Sequence, residues 1–415
     1  MNICYLGAVW MEKLDESFRF DNPLPELKRR YPFGTNLAVG LAKAGHHITV
    51  VVLSMTVNET VKYSSGECDV YIVPERRTRY QLPTLYNKEV AGLLTVVAKV
   101  KPDVILANWT YQYARAGVMS GFPCLVVARD SPWRCLWRIH SFSFLVKTLY
   151  SQFFVFPRIK NLSTISPHMV DDLRKFNRYT GEIAIIPNGI TVDADFVKDV
   201  KKEAKTILCV SEWNPLKNIT TLFRAFSILR KKHSDWRLIA IGNCIDDATA
   251  GNWMRKHGVS SNGIELLGRK TQDEIKLLLR NEADVFCSPT LEESFGQVFL
   301  EAMANGVPCI GGKKSGAVSW VMGVGDVSRS GGSRFGVEVE KIRVAKNGDI
   351  SEMQGGVVCD VTDPKKLAAC IEGVMEDVEL RRSLSANGER RVGDMFDIKN
   401  VVDKYEIKLR RVAGC

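Results

Sequence analysis

Two glutamates, Glu293 and Glu301, stand eight positions apart in the stretch SPTLEESFGQVFLEAMANGVP, which runs from Ser288 to Pro308. The run ADVFCS just before it is typical of a buried strand, whereas FGQVFLEAMANG has the apolar spacing of a helix. Glu293 therefore falls just before the predicted helix, and Glu301 lies about one and a half turns into it. Two carboxylates placed in this way can accept hydrogen bonds from hydroxyl groups of a ligand.

The start of this predicted helix favours an anion. Its free N–H groups and positive dipole end attract phosphate, and Gly296 lets a ligand approach the backbone closely. A nucleotide sugar carries hydroxyl groups on both sides of its diphosphate, so the spacing predicts that Glu301 accepts from the ribose and Glu293 from the sugar. The alternative is that Glu293 only complements the helix dipole, which contributes about 0.3–1 kcal/mol, and that Glu301 faces water.

Short β-branched runs alternate with helical patterns in both halves of the chain, which predicts an α/β fold with parallel sheets. Between two of these runs, ITTLFRAFSILRKK has the spacing of an amphipathic helix, and GTNLAVGLAKAGH predicts a helix that Gly45 terminates. The predicted strands are NICYL, HITVVVL, DVILA and CLVVA in the front half, and TILCV, WRLIAIG, ADVFCS and PCIGG in the back half.

Two Rossmann-like domains facing each other across a cleft are the expected architecture, because 415 residues exceed what one core usually supports. We place an acceptor-binding domain at residues 1–192 and a nucleotide-sugar-binding domain at residues 193–395, divided after a Pro-Asn-Gly turn. Residues 396–415 have the spacing of an amphipathic helix, expected to pack back on the first domain. The glycine- and serine-rich segment that follows Met322 predicts a long surface insertion.

The composition narrows the class of protein. The formal net charge of +10 suits phosphate-bearing small molecules, an anionic membrane or nucleic acid, although no recognition motif for nucleic acid is present. The 11 cysteines form no C-x-x-C pairs and no cluster at zinc spacing, which predicts a reducing cytoplasm and no metal site. No apolar run reaches about 18 residues, so no membrane-spanning segment and no export are expected.

The block around the two glutamates resembles the E-x7-E motif of the large family of retaining glycosyltransferases with a GT-B fold, usually called family 4. The resemblance covers residues 160 to 390 well and is weaker before them. Further pieces match in the family's order: PNGI, CVSEWNPLKN, IELLGRKTQDEIKLLLRNEADVFCSPT and GGVVCDVTDPKKLA. It implies transfer of a hexosyl group from a nucleoside-diphosphate sugar to a glycan or lipid-linked hydroxyl, with retention of configuration and no metal or other cofactor.

The resemblance also implies roles for individual residues. Glu293, Lys217 and Asp130 are assigned to catalysis, with Lys217 holding the donor diphosphate. The donor-binding positions are Glu301 at the ribose, Ser294, Phe295 and Gly296 at the sugar, Gln297 and Val298 at the phosphates, and Gly268, Arg269 and Glu212 around the nucleotide. The positions on the acceptor side or in the cleft are Gly34, Asn108, Trp109 and Arg129.

Several positions depart from the family's pattern. Ser211 and Glu212 stand where Gly-Arg is usual, so one expected diphosphate cation is missing, and Arg129 is a candidate substitute. The expected histidine after CLVVA is replaced by Arg129 and Asp130, the first-loop glycine pair by Phe33 and Gly34, and a common glutamate by Ser319. A non-catalytic nucleotide-sugar-binding protein is therefore the alternative function. A dinucleotide oxidoreductase is disfavoured because no G-x-G-x-x-G follows the first strand.

The segment between Asp130 and Asp171 contains no acidic residue. Two interpretations remain open for it. It forms core helices whose aromatic side chains pack inward, or it lies reversibly on the inner face of an anionic membrane. Its cations are Arg134, Arg138, Lys147, Arg158 and Lys160, interleaved with the aromatic residues Trp133, Trp137, Phe142, Phe144, Tyr150, Phe153, Phe154 and Phe156.

Overall fold

A computed structural model describes residues 1–27, 31–193, 196–324 and 354–415. The chain divides into two compact units, unit 1 with residues 1–189 and 398–415 and unit 2 with residues 190–397. Most of the glycine- and serine-rich segment predicted as an insertion lies outside the described residues. Within the described part, no helix combines the length and the apolarity that crossing a bilayer requires.

Unit 1 is built on a sheet of eight strands in the order β3-β4-β2-β1-β5-β6-β7-β8, in which only the β3–β4 pair is antiparallel. The four strands predicted in the front half are all present, and the central ones are buried on both faces because helices cover the sheet. The strands are Asn2–Leu6 (β1), His47–Ser54 (β2), Val61–Ser64 (β3), Cys68–Pro74 (β4), Val104–Asn108 (β5), Cys124–Ala128 (β6), Asn161–Thr164 (β7) and Ile183–Ile185 (β8).

Connections of unit 1 are mostly helical, as parallel strands require. The helix predicted from GTNLAVGLAKAGH begins earlier, at Pro32, and ends before Gly45, whose φ of +85° gives the left-handed turn expected of a C-terminal cap. The helices are Met11–Phe18 (α1), Pro32–Lys43 (α2), Thr78–Gln81 (α3), Asn87–Val100 (α4), Gln112–Met119 (α5), Pro132–Ile139 (α6), Phe142–Tyr150 (α7) and Pro167–Lys175 (α8).

Unit 2 contains a parallel sheet of six strands in the order β11-β10-β9-β12-β13-β14. All four strands predicted in the back half are present. The strands are Thr206–Val210 (β9), Arg237–Ile241 (β10), Ile264–Leu266 (β11), Val285–Cys287 (β12), Cys309–Gly312 (β13) and Gly356–Cys359 (β14). The helices are Ile219–Leu229 (α9), Asn252–Lys256 (α10), Gln272–Asn281 (α11), Gln297–Ala304 (α12), Val318–Val321 (α13), Pro364–Glu376 (α14) and Val378–Arg391 (α15).

The core of unit 2 lies between its sheet and the helices α9 and α14. The predicted apolar face of α9 is buried there, with Leu222, Phe226 and Leu229 at most 1% exposed. Strand β9 is central in the sheet, with β10 on one side and β12 on the other. The loops that follow β9 and β12 therefore emerge side by side at the carboxyl edge of the sheet, where ligands of such sheets bind.

The last helix, Ile398–Ala413 (α16), belongs to unit 1 and packs on α2. Val402 packs directly on Gly40. A Cβ atom added at Gly40 would lie only 2.3 Å from Cγ2 of Val402, so a larger residue would clash there. Tyr405 and Leu409 are fully buried one and two turns further on. The chain thus returns to its first unit at its C-terminal end.

Candidate active site

Lys217 and Glu293 form an ion pair at the carboxyl edge of the unit 2 sheet. The Nζ atom of Lys217 donates to Oε1 of Glu293 at 2.5 Å, and the two side chains are 29% and 14% exposed. Lys217 ends a 3-10 turn after β9, whose start the side chain of Asn214 caps by accepting from the amide of Leu216. Glu293 lies in the loop between β12 and α12. Two chain segments thus bring together a cation and a carboxylate for which the family resemblance implies a catalytic role.

Backbone hydrogen bonds hold these two loops together. The amide of Leu291 donates to the carbonyl of Leu216 at 2.7 Å, so the loop after β12 runs against the turn that carries Lys217. Asn218, in the left-handed conformation with a φ of +51°, donates from Nδ2 to the carbonyls of Pro289 at 3.2 Å and Val361 at 2.8 Å. Asn218 was not predicted, although its place beside the family's lysine in NPLKN is the signal that could have identified it.

A third loop, after β13, supports Glu293 from another side. The amide of Ala317 donates to the carbonyl of Glu293 at 3.0 Å, and Ser315 Oγ donates to the carbonyl of Thr290 at 2.5 Å. Gly316 has a φ of +64°, and a Cβ there would lie 2.2 Å from the carbonyl oxygen of Glu293. Only glycine permits this approach. Lys313 and Lys314 precede it in the same loop and were also not predicted as site residues.

The start of α12 has the geometry that the sequence predicts. Gly296 is its N-cap residue with a φ of +95°, and Gln297 and Val298 open the helix, so their amides have no acceptor within it. The side-chain oxygen Oε1 of Gln297 is buried and has no hydrogen-bond partner among the described residues. Phe295 is 3% exposed, and Ser294 lies beside it in the same loop. Helix starts of this kind, with free amides and a glycine at the N-cap, can bind anions, and the N-cap of this one lies three residues after Glu293.

Glu301 lies in the second turn of α12, downstream of this helix start. Burial disfavours its carboxylate and raises its pKa to about 7. Its backbone carbonyl accepts from Asn305, which in turn accepts from Arg280 at 2.7 Å. These bonds tie the backbone of Glu301 to Asn305, and with this pKa its carboxyl group can accept from or donate to a ligand hydroxyl near neutral pH.

The positions assigned to the nucleotide base follow β11. Gly268, with a φ of +63°, accepts from the amide of Gly242 and donates to the carbonyl of Ile245, each at 2.8 Å, which ties it to the loop after β10. Arg269 beside it is exposed. Glu212 is also exposed and follows β9 by two residues. No contact joins Arg269 or Glu212 to the Lys217–Glu293 pair among the bonds of the described residues.

In unit 1, Arg129 is a buried cation at the carboxyl edge of the sheet, 6% exposed. Its Nε donates to Asn108 Oδ1 at 2.9 Å, Nη1 to Asn188 Oδ1 at 2.5 Å, and Nη2 to the hydroxyl of Tyr405 at 3.4 Å. The ring of Phe33 lies 4.6 Å from the guanidinium carbon. Arg129 thus connects the ends of β5 and β6 to the Pro-Asn-Gly turn and to α16.

Asp130 follows Arg129 and accepts from the hydroxyl of Tyr111 at 3.2 Å. Burial raises the pKa of Asp130 to about 6, against the opposing effects of Tyr111 and Lys147. The hydroxyl groups of Thr110 and Ser131, in the same two loops, are buried without hydrogen-bond partners among the described residues. The carboxyl edge of unit 1 thus has several polar atoms that could form hydrogen bonds with a ligand. Tyr111, Thr110 and Ser131 were not predicted as site residues.

Two further predicted positions lie near this edge. Trp109 follows β5 in the left-handed conformation, with a φ of +61°, and its ring lies 5.0 Å from that of Tyr31. Gly34 lies in the first turn of α2, where a Cβ would meet the hydroxyl of Tyr5 at 2.3 Å. Asn108 and Arg129 are in direct contact. Trp109 is connected to Arg129 through Tyr31, whose ring lies 5.6 Å from the guanidinium carbon.

One group of metal-ligating side chains lies elsewhere in unit 2. His233, Glu372 and Glu376 bring their ligand atoms within 4.8 Å of one another. Nε2 of His233 lies 2.9 Å from Glu372, and Nζ of Lys232 lies 3.3 Å from both oxygens of the same carboxylate. Because the ammonium group of Lys232 already pairs with both oxygens of Glu372, we describe the group as an ion-pair cluster. His233 precedes β10, so the cluster lies at the amino-terminal edge of the sheet, opposite to the carboxyl edge that carries Lys217.

Comparison with known proteins gives matches in both halves of the chain. The model "Glycosyl transferase 4-like domain" matches residues 34–189, and "Glycosyl transferases group 1" matches residues 192–323. Phosphatidyl-myo-inositol mannosyltransferase of Mycolicibacterium smegmatis is 27% identical over 213 residues, which cover 50% of this chain and 46% of that protein. The match thus spans less than half of the length of that relative.

Solved structures resemble the whole chain. Sucrose-phosphate synthase from Thermosynechococcus elongatus has a TM-score of 0.75 at 17% identity, with 100% of both chains covered. HepE of Anabaena, in complex with UDP-glucose, has a TM-score of 0.62 at 14% identity and covers 99% of this chain and 100% of its own. At these identities the likeness concerns the fold, which is GT-B with two parallel-sheet α/β domains. Together with the two matching family models, it shows that the chain belongs to the glycosyltransferases of the family 4 type.

Proposed function

We propose that the protein transfers a hexosyl group from a nucleoside-diphosphate sugar to a hydroxyl group of a glycan or a lipid-linked acceptor, with retention of configuration. The observation that carries the proposal is the Lys217–Glu293 ion pair beside the first amides of α12. A diphosphate needs a cation and N–H donors, and a sugar needs a carboxylate to orient its hydroxyl groups. This edge of unit 2 presents all of these groups. HepE, a structural neighbour, was solved with UDP-glucose, which supports a nucleotide-sugar donor.

In the proposed reaction, the bond between the anomeric carbon and the β-phosphate oxygen breaks, and its electron pair stays on the phosphate. Lys217 and the amides of Gln297 and Val298 stabilise this developing charge, which is commonly the largest catalytic contribution. The acceptor oxygen attacks the anomeric carbon from the side of departure, and its proton passes to the leaving phosphate oxygen. Charge stabilisation by Lys217 and the helix start makes the proposed reaction independent of a metal ion or other cofactor.

Glu301 and Asp130 bind the two substrates in this proposal. Glu301 accepts hydrogen bonds from the ribose hydroxyl groups of the donor, while Gly268 and Arg269 contact the base. Asp130 in unit 1 orients the acceptor hydroxyl, which its carboxylate does best above its pKa of about 6. Thr110 and Ser131 offer their buried hydroxyl groups to the same acceptor.

A cytoplasmic location with reversible attachment to the inner face of a membrane completes the proposal. It is supported by the formal net charge of +10 and by the acid-free segment between Asp130 and Asp171. A lipid-linked acceptor would be available at such a surface. The name of the mycobacterial relative describes a mannosyltransferase that acts on a phosphatidyl-inositol, which supports an acceptor of this class.

The test is incubation of the protein with a panel of UDP-sugars and GDP-sugars, with measurement of the nucleoside diphosphate released. One donor should release its nucleotide by slow hydrolysis without acceptor, and EDTA should leave the rate unchanged. The Lys217→Ala variant should release it at least about a hundredfold more slowly. Saturable binding of a donor without any release, with or without glycan and lipid acceptors, would instead identify a non-catalytic nucleotide-sugar-binding protein.

A further inference from the structure

An apolar helical face of unit 1 is exposed on α7 and on the π-helical turn Ser151–Val155 that continues it. Phe142 is 77% exposed and Phe153 is 64% exposed, while Thr148, Tyr150 and Val155 on the opposite face are buried. Leu145 and Leu149 lie between the two phenylalanines at helical spacing, so these side chains form one stripe. Trp137 of α6, 51% exposed, lies against Phe176.

This stripe is a concentration of exposed apolar side chains. The described part of the chain has twelve large exposed apolar residues, and five of them lie between positions 137 and 153. Scattered apolar residues on a surface are ordinary, whereas a contiguous group marks a surface that contacts another apolar phase or molecule. We call the group formed by Phe142, Leu145, Leu149 and Phe153 the apolar stripe, and Trp137 lies on the neighbouring helix α6.

The segment of the sequence that carries the apolar stripe has charges of one sign. The residues between Asp130 and Asp171 include no carboxylate, and Arg138, Arg158 and Lys160 are exposed. Arg158 donates to the carbonyls of Phe153 and Phe154 at 3.5 and 3.2 Å, which fixes its cation at the end of the stripe. Arg134 donates from Nε and Nη2 to the two carboxylate oxygens of the buried Asp172, each at 2.5 Å. This ion pair belongs to the interior of unit 1, so we do not count Arg134 among the cations of the surface.

A cavity of about 380 Å³ adjoins the π-helical turn. Lys160 and Arg178 contribute cations to its wall, and the residues that line it include no carboxylate. Asn177 is 3% exposed, and its side-chain oxygen has no hydrogen-bond partner among the described residues. A cavity with two cations and an unsatisfied amide oxygen suits a small group that is both anionic and able to donate, such as a phosphate that carries a hydroxylated headgroup.

We infer that the apolar stripe inserts into the interface of an anionic lipid bilayer, with Arg138, Arg158 and Lys160 against its headgroups and the adjoining cavity occupied by one of them. An aromatic and aliphatic stripe that is flanked by cations matches the apolar and anionic layers of such a surface. Attraction of a few cations to such a surface is weak and screened by salt, so binding is reversible and depends on salt. This inference rests on the proposed attachment to a membrane, and it assigns that attachment to particular residues.

The experiment is sedimentation of the full chain with vesicles of phosphatidylcholine alone or mixed with phosphatidylglycerol, at low and high salt. We expect binding to the mixed vesicles at low salt and its loss at high salt. The double variant Phe142→Ser/Phe153→Ser should bind at least about tenfold more weakly, since two large apolar side chains no longer insert. The double variant Arg158→Glu/Lys160→Glu should lose the preference for the anionic vesicles.

Matched controls come from α16, where Ile407 is 69% exposed and Lys404 is exposed. Ile407→Ser and Lys404→Glu should bind vesicles like the unchanged chain, and circular dichroism should show that every variant is folded. Release of nucleotide from a soluble donor should stay the same in all four variants, so failure of vesicle binding and failure of the proposed transfer are observed separately. Absence of binding at low salt, or equal loss in the α16 variants, would overturn the inference. So would a dimer in solution that Phe142→Ser/Phe153→Ser dissociates.

Discussion

Lys217 and Glu293 share one short ion pair, so a substitution of either leaves the partner's charge without its neighbour. We expect Lys217→Ala and Glu293→Ala each to lower the turnover number for sugar transfer at least about a hundredfold, because each removes a charged contact to the reacting part of the donor. Steady-state kinetics measures the loss, with thermal unfolding to show that both variants fold. Lys205→Ala is the matched control, since it breaks an ion pair to Asp235 on the surface of the same unit at 2.9 Å. Turnover near that of the unchanged chain in both site variants would disprove the assignment.

Glu301 makes stability and donor binding depend on pH. Its pKa is about 7 in the folded chain because burial disfavours the carboxylate, against 4.5 for an ordinary glutamate. The folded chain therefore retains a proton that the unfolded chain loses between these values, so the contribution of Glu301 to stability falls as the pH rises from about 4.5 to 7. We expect Glu301→Gln to raise the unfolding midpoint more at pH 8 than at pH 5, as measured by thermal unfolding at both values.

The same substitution should weaken donor binding, because the ribose hydroxyl groups are proposed to donate to the carboxylate. Donor affinity of the unchanged chain should rise as the pH increases through about 7, and this dependence should disappear in Glu301→Gln. Titration calorimetry with a nucleoside diphosphate at several pH values checks it. A variant that binds the nucleotide normally but turns over slowly would place Glu301 in the chemical step instead of in ribose binding.

The sequence predicted the residues of the α12 region by their spacing, because a strand, a glycine and a helix start impose a local geometry. It could not predict Ser315 or Gly316, whose contacts to the loop of Glu293 join segments far apart in the chain. Asn218 was missed, although it stands directly beside the family's lysine. Residue types also did not show that Glu212 and Arg269 would be exposed, since exposure depends on how the surrounding loops pack.

At the scale of elements, most of the buried β-branched strands were predicted, whereas several short strands were not. The eight predicted strands include β1, β5, β6 and β9, which lie inside their sheets and have continuous apolar runs. The strands β3, β7 and β11 were not predicted, since they have only three or four residues and VKYS, NLST and IEL are too short to show a strand pattern. Pairing with a neighbouring strand decides their conformation. The interior strand β4 was missed as well, although CDVYIVP has seven residues.

Arg129 joins three elements of unit 1, and its removal should destabilise them together. Arg129→Ala leaves the carboxamide oxygens of Asn108 and Asn188 without their donor inside the protein, and we expect a loss of about 3 kcal/mol in the free energy of unfolding. Urea unfolding measures it. Tyr405→Phe is the milder control, because it removes only the contact at 3.4 Å.

The same variant tests whether Arg129 takes the place of the arginine that binds the diphosphate in the family and is replaced here by Glu212. If Arg129 only supports unit 1, donor affinity of the folded Arg129→Ala chain should stay the same while its stability falls. A large loss of donor affinity with unchanged stability would show that Arg129 binds the donor diphosphate. If donor affinity stays the same, Lys313 and Lys314, in the loop that supports Glu293, become the next candidates for the second diphosphate cation. If donor affinity is lost, Arg129 is that cation and no further candidate is needed.

At the scale of the whole molecule, the two units have separate sheets and cores, and the proposed donor site lies within residues 190–397 alone. A nucleoside diphosphate that binds only the folded chain must therefore stabilise unit 2 by mass action. At a hundred times its dissociation constant the gain is about 2.7 kcal/mol, or about 5 to 10 °C in the unfolding midpoint of a unit of this size. Scanning calorimetry with UDP and with GDP should show the shift for one of them, with or without EDTA, and Lys217→Ala should reduce it. If neither nucleotide at saturating concentration moved any transition, the chain would have no nucleotide site at the start of α12, and the proposed donor would be wrong irrespective of the acceptor.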